Sequence, residues 1–162
     1  MSRRQPWRAP AILLGAVLLA LLAGCGGGKT DPDSPPELRP RLDVCAECGM
    51  AIVEVRFAAG YMDEETGEPV LFDDIGDMVR YLRRRGIDPV AWVHDRETGE
   101  WIRADEAWFV HGGGLGGIHW DIVAFADEEA ARSRAGPGEV LRWNQVKELD
   151  LESLAAFSEK YG

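Results

Sequence analysis

Two segments of this sequence follow one plan, and that repetition limits the fold more than any other feature. Phe72-Asp73-Asp74 opens a helical pattern, and Phe125-Ala126-Asp127 opens another 53 residues later. In the first, Ile75, Met78, Val79 and Leu82 fall on one face, an aspartate stands ready to cap the start, and Gly86-Ile87-Asp88-Pro89 stops the run. A left-handed Gly86 with Ile87 folding back is a common helix exit, and the arginines at 80 and 83 to 85 complement the negative end of the dipole. The second helix, capped by Asp127, runs Glu128 to Ala135 and ends at Gly136-Pro137. Strand signals flank both. Val53, Val55 and Phe57 alternate with charged residues, and Glu65 to Glu68 turns the chain into Val70-Leu71-Phe72, which predicts a hairpin. Val90 to Val93 predicts the strand after the first helix. The second copy has Trp101 to Arg103, Ala107 to Val110, Asp121 to Phe125 and, after its helix, Glu139 to Arg142. The expectation is α+β, a ββαβ unit used twice: lobe one over about residues 45–95, lobe two over about 96–150, and a closing helix carrying Leu151, Leu154 and Ala155.

The N-terminus reads as an export signal. Arg3, Arg4 and Arg8 precede an uncharged apolar stretch from Ala11 to Ala23, too short to span a bilayer comfortably, which ends in Leu22-Ala23-Gly24-Cys25. That ending resembles the bacterial lipobox. It implies a signal peptide over residues 1–24, cleavage after Gly24, and a lipidated Cys25 that fixes the protein to the cell membrane or outer membrane, facing the periplasm or exterior. Residues 25–41 then form a tether, glycine- and proline-rich and with nothing to bury. Cleavage removes three arginines and no acid, taking the net charge from −10 to −13. Such a protein does not bind nucleic acid, and lipid rather than charge must hold it to a membrane.

With Cys25 lipidated, the remaining cysteines sit together in Cys45-Ala46-Glu47-Cys48-Gly49-Met50. Thiolate and thioether are soft donors and suit Cu(I) far better than magnesium or calcium. Three other readings stay open here: a structural zinc site lacking its second cysteine pair, a local disulfide, and an exported thiol-disulfide oxidoreductase. The last wants a helix at the first cysteine, whereas Ala51 to Val55 is a β-branched strand pattern. Gly24 to Thr30 fits a relaxed phosphate-loop pattern but straddles the cleavage site, and His111 to Gly114 has no Gly-x-Ser-x-Gly to accompany it. Met78 belongs to a helix core face. Trp120, beside His119, is placed to shield a bound ion.

Six short motifs in order make the sequence resemble the NosL family over about residues 43–147: Cys48-Gly49-Met50 before a hairpin; Leu71 to Asp74 with Met78, Tyr81 and Leu82; Glu100 to Ile102; Ala107 to Val110; Ile122 to Ala126; and Gly138 to Leu141. The resemblance implies a NosL-like domain over 42–162, paired ββαβ lobes akin to the organomercurial lyase MerB, and a lipoprotein Cu(I) chaperone, not an enzyme. Its implied partner is nitrous oxide reductase or the machinery that matures its copper centres. One position departs from the family. Where NosL proteins carry a methionine ligand before the Ile-Val-Ala-Phe strand, this chain has Gly117-Ile118-His119. The expected metal shell is therefore Cys48, Met50 and His119, with Cys45 in reserve. An imidazole there also raises affinity for zinc and Cu(II). An exposed Cu(I) site would further allow a metal-bridged homodimer.

Overall fold

The computed structural model describes residues 31–151. The signal segment, Cys25, the first tether residues and the closing helix beyond Leu151 lie outside the described residues. Two antiparallel sheets make the framework. The first has the order β2-β1-β3-β4, built from β1 (Ala59–Met62), β2 (Pro69–Phe72), β3 (Ala91–His94) and β4 (Trp101–Arg103). The second has the order β6-β5-β7, from β5 (Trp108–His111), β6 (Ile122–Phe125) and β7 (Glu139–Arg142). Helix α1 (Ile75–Arg85) follows β2, α2 (Glu128–Arg134) follows β6, and the short α3 (Trp143–Val146) follows β7.

The repeat is real. In each lobe the first strand is central, flanked by its hairpin partner and by the strand that follows the helix. Both helices start as expected: Asp74 accepts from Gly76 N–H at 2.7 Å and Asp127 from Ala130 N–H at 2.8 Å. Helix α1 also ends as expected, with Gly86 left-handed at φ +66° and Ile87 N–H bonded to Leu82 C=O.

Three details differ from the sequence reading. Residues 53–57 are not a strand: Val55–Phe57 is a 3₁₀ turn, Val53 is 48% exposed, and the hairpin strand starts at Ala59. That strand is buried at all four residues, because β2 and β3 flank it and its faces are both covered, so it shows no alternation. Trp101–Arg103 does not open lobe two. It pairs with β3 in the register Val93↔Ile102 and forms the edge of the first sheet. The tether also becomes structured before residue 41. Pro36 is buried, packing where a side chain on Gly60 would otherwise stand, and Leu38 lies against the core. The two hairpin turns of the first sheet repeat one chemistry. In Asp63-to-Glu68 and Asp95-to-Glu100 the aspartate accepts from the threonine N–H and hydroxyl, and a left-handed glycine follows.

One core serves both lobes. Phe72, Met78, Val79 and Val93 of lobe one pack in a single cluster with Phe109, Ile122, Ala124, Leu141 and Trp143 of lobe two. Alternate residues of β5 and β6, namely Val110, Val123 and Phe125, face the other way and cover Ala131 of α2. Asp95, at the end of β3, fastens the lobes: it bridges to Ala124 of β6, and its carboxylate accepts from Ala126 N–H at 3.1 Å.

Candidate metal centre

Residues 43 to 52 form a tight hairpin whose tip carries both cysteines. Val44 pairs with Ala51, Cys45 N–H donates to Met50 C=O at 2.8 Å, and Gly49 N–H returns to Cys45 C=O at 2.9 Å. Gly49 takes φ +76°, which closes the loop at a position where a side chain would be strained. Two contacts dock this tip onto lobe one. Ala46 N–H donates to Leu71 C=O at 2.8 Å, and the Glu47 carboxylate takes a two-pronged contact from Arg84 at 2.7 Å and 2.7 Å.

The docked tip sets its thiols against the N-terminal turn of α1. Cys45 is buried and its Sγ lies 3.6 Å from Asp77 Oδ2, while the partly exposed Cys48 has its Sγ 3.6 Å from Asp73 Oδ1. One donor atom from each of Cys45, Cys48, Asp73 and Asp77 lies within 4.8 Å of all the others. The two cysteines are free thiols. Burial pushes the Cys45 thiol well up, with Asp73 adding to it, and burial likewise raises Cys48 against the opposing hydrogen bond from Met50.

Lobe two closes the other side of this cluster. Asp74, buried at the base of the helix, turns away from the thiols and accepts from Ile118 N–H at 2.7 Å and His119 N–H at 3.1 Å. Burial pushes Asp74 up to about 6 in spite of those donors. The Trp120 indole lies on Gly76, where any Cβ would run into the ring, and its Nε1–H donates to Asp77 Oδ1 at 2.8 Å. The other oxygen of Asp77 lies 3.4 Å from His119 Nδ1, an approach too poorly aligned for a hydrogen bond. That nitrogen is buried without a hydrogen-bond partner.

The structure thus gathers Cys45 and Cys48, sets His119 one carboxylate away from them, and leaves Met50 43% exposed on the same loop, its backbone carbonyl tied to Cys45. Cys45 sits inside the cluster as fully as Cys48. Sequence reasoning missed both carboxylates: Asp73 was read only as a candidate helix cap, and Asp77, in the first turn of α1, was given no role. The available signal was their separation by four residues, which puts both carboxylates on one side of the first turn. Chemically, one buried thiol, one partly exposed thiol and two buried carboxylates form a cation-seeking pocket. They are a poor setting for a redox nucleophile, which needs a thiol pKa lowered, not raised.

The comparisons with known proteins agree with this architecture. The NosL family model matches residues 40–151. Among solved structures, the crystal structure of the copper chaperone NosL from Shewanella denitrificans superposes with a TM-score of 0.61 at 20% sequence identity, covering 74% of this chain and 100% of that one. No curated protein matches the sequence.

Proposed function

The chain belongs to the NosL family, and from that premise we propose that it is a lipid-anchored, extracytoplasmic Cu(I) chaperone whose cargo is held by Cys45 and Cys48. The observation that carries this reading is the convergence of the two free thiols, within 4.8 Å of each other and of two carboxylates, at the lobe interface. Two thiolates give a soft ion its preferred donors, and His119, whose Nδ1 lies 3.4 Å from Asp77 Oδ2, offers a nitrogen as a third. The solved NosL of the same fold is a copper chaperone.

Delivery follows from unequal burial. Cys45 is enclosed, whereas Cys48 and the neighbouring Met50 reach solvent. An acceptor's ligands therefore approach from the Cys48 side and displace that thiolate first, leaving Cys45 to be released last. Because Cys45 is enclosed, we read the site as lying within one chain and not as a bridge between two copies. The acceptor we assign is the machinery that matures the copper centres of nitrous oxide reductase, with Cys25 as the lipid anchor.

The test uses full-length reduced protein in detergent, titrated with Cu(I) against a competing chelator and assayed in parallel for insulin reduction. About one Cu(I) per chain should be retained, and both Cys45→Ser and Cys48→Ser should lose it. Insulin reduction without copper retention would replace this reading with thiol-disulfide exchange. In cells lacking the gene, nitrous oxide reductase should be copper-deficient and be restored by the wild-type chain but not by Cys48→Ser.

A further inference from the structure

The chain carries 28 acidic side chains against 18 basic ones, yet one cleft reverses that sign. It lies where the turn after β3 meets α2, encloses about 250 Å³, and is lined by Arg56, Arg96, Glu97, Leu115, Phe125 and Arg134. Three guanidiniums line it with one carboxylate, a local charge of 3 − 1 = +2. Leu115 and the buried Phe125 give it an apolar wall.

These guanidiniums are held without being neutralised. Arg56 Nη1 donates to Arg96 C=O and to Glu97 C=O, each at 2.7 Å, which pins the side chain to a turn already braced by Asp95 and leaves its charge unspent. Arg96 lies over the Phe57 ring at 5.3 Å, and among the described residues neither it nor Arg56 has a carboxylate partner. Arginines fixed before an anion arrives lose less entropy in binding it. Arg134 alone is paired, with Glu97 Oε1 at 3.1 Å, and both of those side chains are largely exposed, so the pair yields to a stronger ligand at little cost.

We propose that this cleft binds a phosphomonoester dianion, either a soluble ester or a lipid headgroup, through Arg56 and Arg96, with Arg134 turning from Glu97 to the ligand. A phosphate monoester carries close to two negative charges and three strong acceptor oxygens, which match the +2 balance and the planar donors. A single carboxylate would leave one positive charge uncompensated. The volume admits a phosphate and a few carbons, since sites for drug-sized ligands begin at about 300 Å³, and Leu115 and Phe125 would meet those carbons. The cleft shares no residue with the thiol cluster, so this site goes beyond the copper reading and stands or falls separately from it.

The experiment titrates full-length reduced protein in detergent with glycerol 3-phosphate at low ionic strength, followed by calorimetry and phosphorus NMR, with acetate as the monoanion comparator. A Kd below about 1 mM that rises with added salt is expected, and acetate should bind roughly ten-fold more weakly or worse. Short-chain phosphatidic acid carries the same headgroup: binding about ten-fold tighter than glycerol 3-phosphate assigns a lipid as the ligand, and equal binding assigns a soluble ester. Arg56→Gln and Arg96→Gln should each weaken binding by about ten-fold or more. Glu97→Gln should strengthen it by roughly three-fold, because no carboxylate then competes for Arg134. Arg41→Gln removes the same charge from an exposed position outside the cleft and should change affinity by less than about two-fold. If Arg56→Gln disturbs the turn, Arg96→Gln decides, since that guanidinium holds no backbone carbonyl. No binding at about 10 mM, an equal loss in Arg41→Gln and Arg96→Gln, or weaker binding in Glu97→Gln would overturn the proposal.

Discussion

Trp120 donates its indole N–H to Asp77 Oδ1 at 2.8 Å, and this bond decides which oxygen of the carboxylate faces the thiols. Trp120→Phe keeps an aromatic ring over Gly76 but removes the donor from a buried acid. We expect a loss of about 1–3 kcal/mol in urea denaturation, with secondary structure intact. An unchanged midpoint would show that the carboxylate does not depend on this bond.

The same ring makes residue 76 a glycine by contact. A Cβ there would occupy the space of the Trp120 ring. Gly76→Ala should cost about 1–3 kcal/mol although alanine favours helices, and should shift tryptophan emission as the indole is pushed toward solvent. A stabilised variant would mean that the indole moves aside without cost.

Proton release counts the thiolates in the copper shell. Burial holds both thiols up, so each is protonated at neutral pH and must lose its proton to ligate. Loading Cu(I) in weakly buffered solution should release about two protons per ion if Cys45 and Cys48 both ligate, and affinity should weaken as pH falls. One proton, together with a ten- to hundred-fold loss in His119→Ala, would instead favour a shell of Cys48, Met50 and His119 with Cys45 in reserve, at roughly the cost of a lost ligand contact.

Asp95 should give the fold an acid-sensitive joint. Desolvation alone would raise its pKa, but the Thr98 hydroxyl and N–H and the Ala126 N–H together hold it below the ordinary carboxylate value. The native state therefore binds fewer protons than the unfolded chain near that value. The stability contribution is present above a pH of about 4 and is lost as pH falls through the depressed native pKa. Asp95→Ala should flatten the acid limb of the stability–pH curve; an identical limb in wild type and variant would remove Asp95 from the joint.

Anchoring is tested by Cys25→Ser, which should abolish lipid labelling and leave the protein unprocessed or soluble. A variant that still fractionates as a lipidated membrane protein would show that the thiol of residue 25 is not the attachment point.

Helix α1 was legible because its apolar residues recur at helical spacing between an aspartate and a glycine, and such local signals survive folding. The ββαβ repeat was legible for the same reason. The start of β1 was not. Alternation pulled the reading to Val53, Val55 and Phe57, while Ala59 to Met62, buried on both faces, carries no period at all. The thiols were visible as a motif. Asp73 and Asp77 were not, since an acid in a helix's first turn is ordinarily a solvated cap. Only the docking of the cysteine hairpin on one side and of Trp120 on the other turns these two into buried groups. Met50 was visible in the same motif, and the structure keeps it beside Cys48 on the loop with its side chain reaching solvent.

The core that runs from Phe72 and Met78 through to Phe109 and Trp143 carries a consequence for the halves themselves. They are copies in plan, yet neither is a stand-alone module, because each uses the other's apolar face as its floor. Cutting the chain between β4 and β5, in the turn at residues 104–107, would leave two fragments with exposed floors, prone to aggregate alone and able to recover structure only when mixed. Heating the intact protein should accordingly melt both sheets in one cooperative step, with no half-folded species in between.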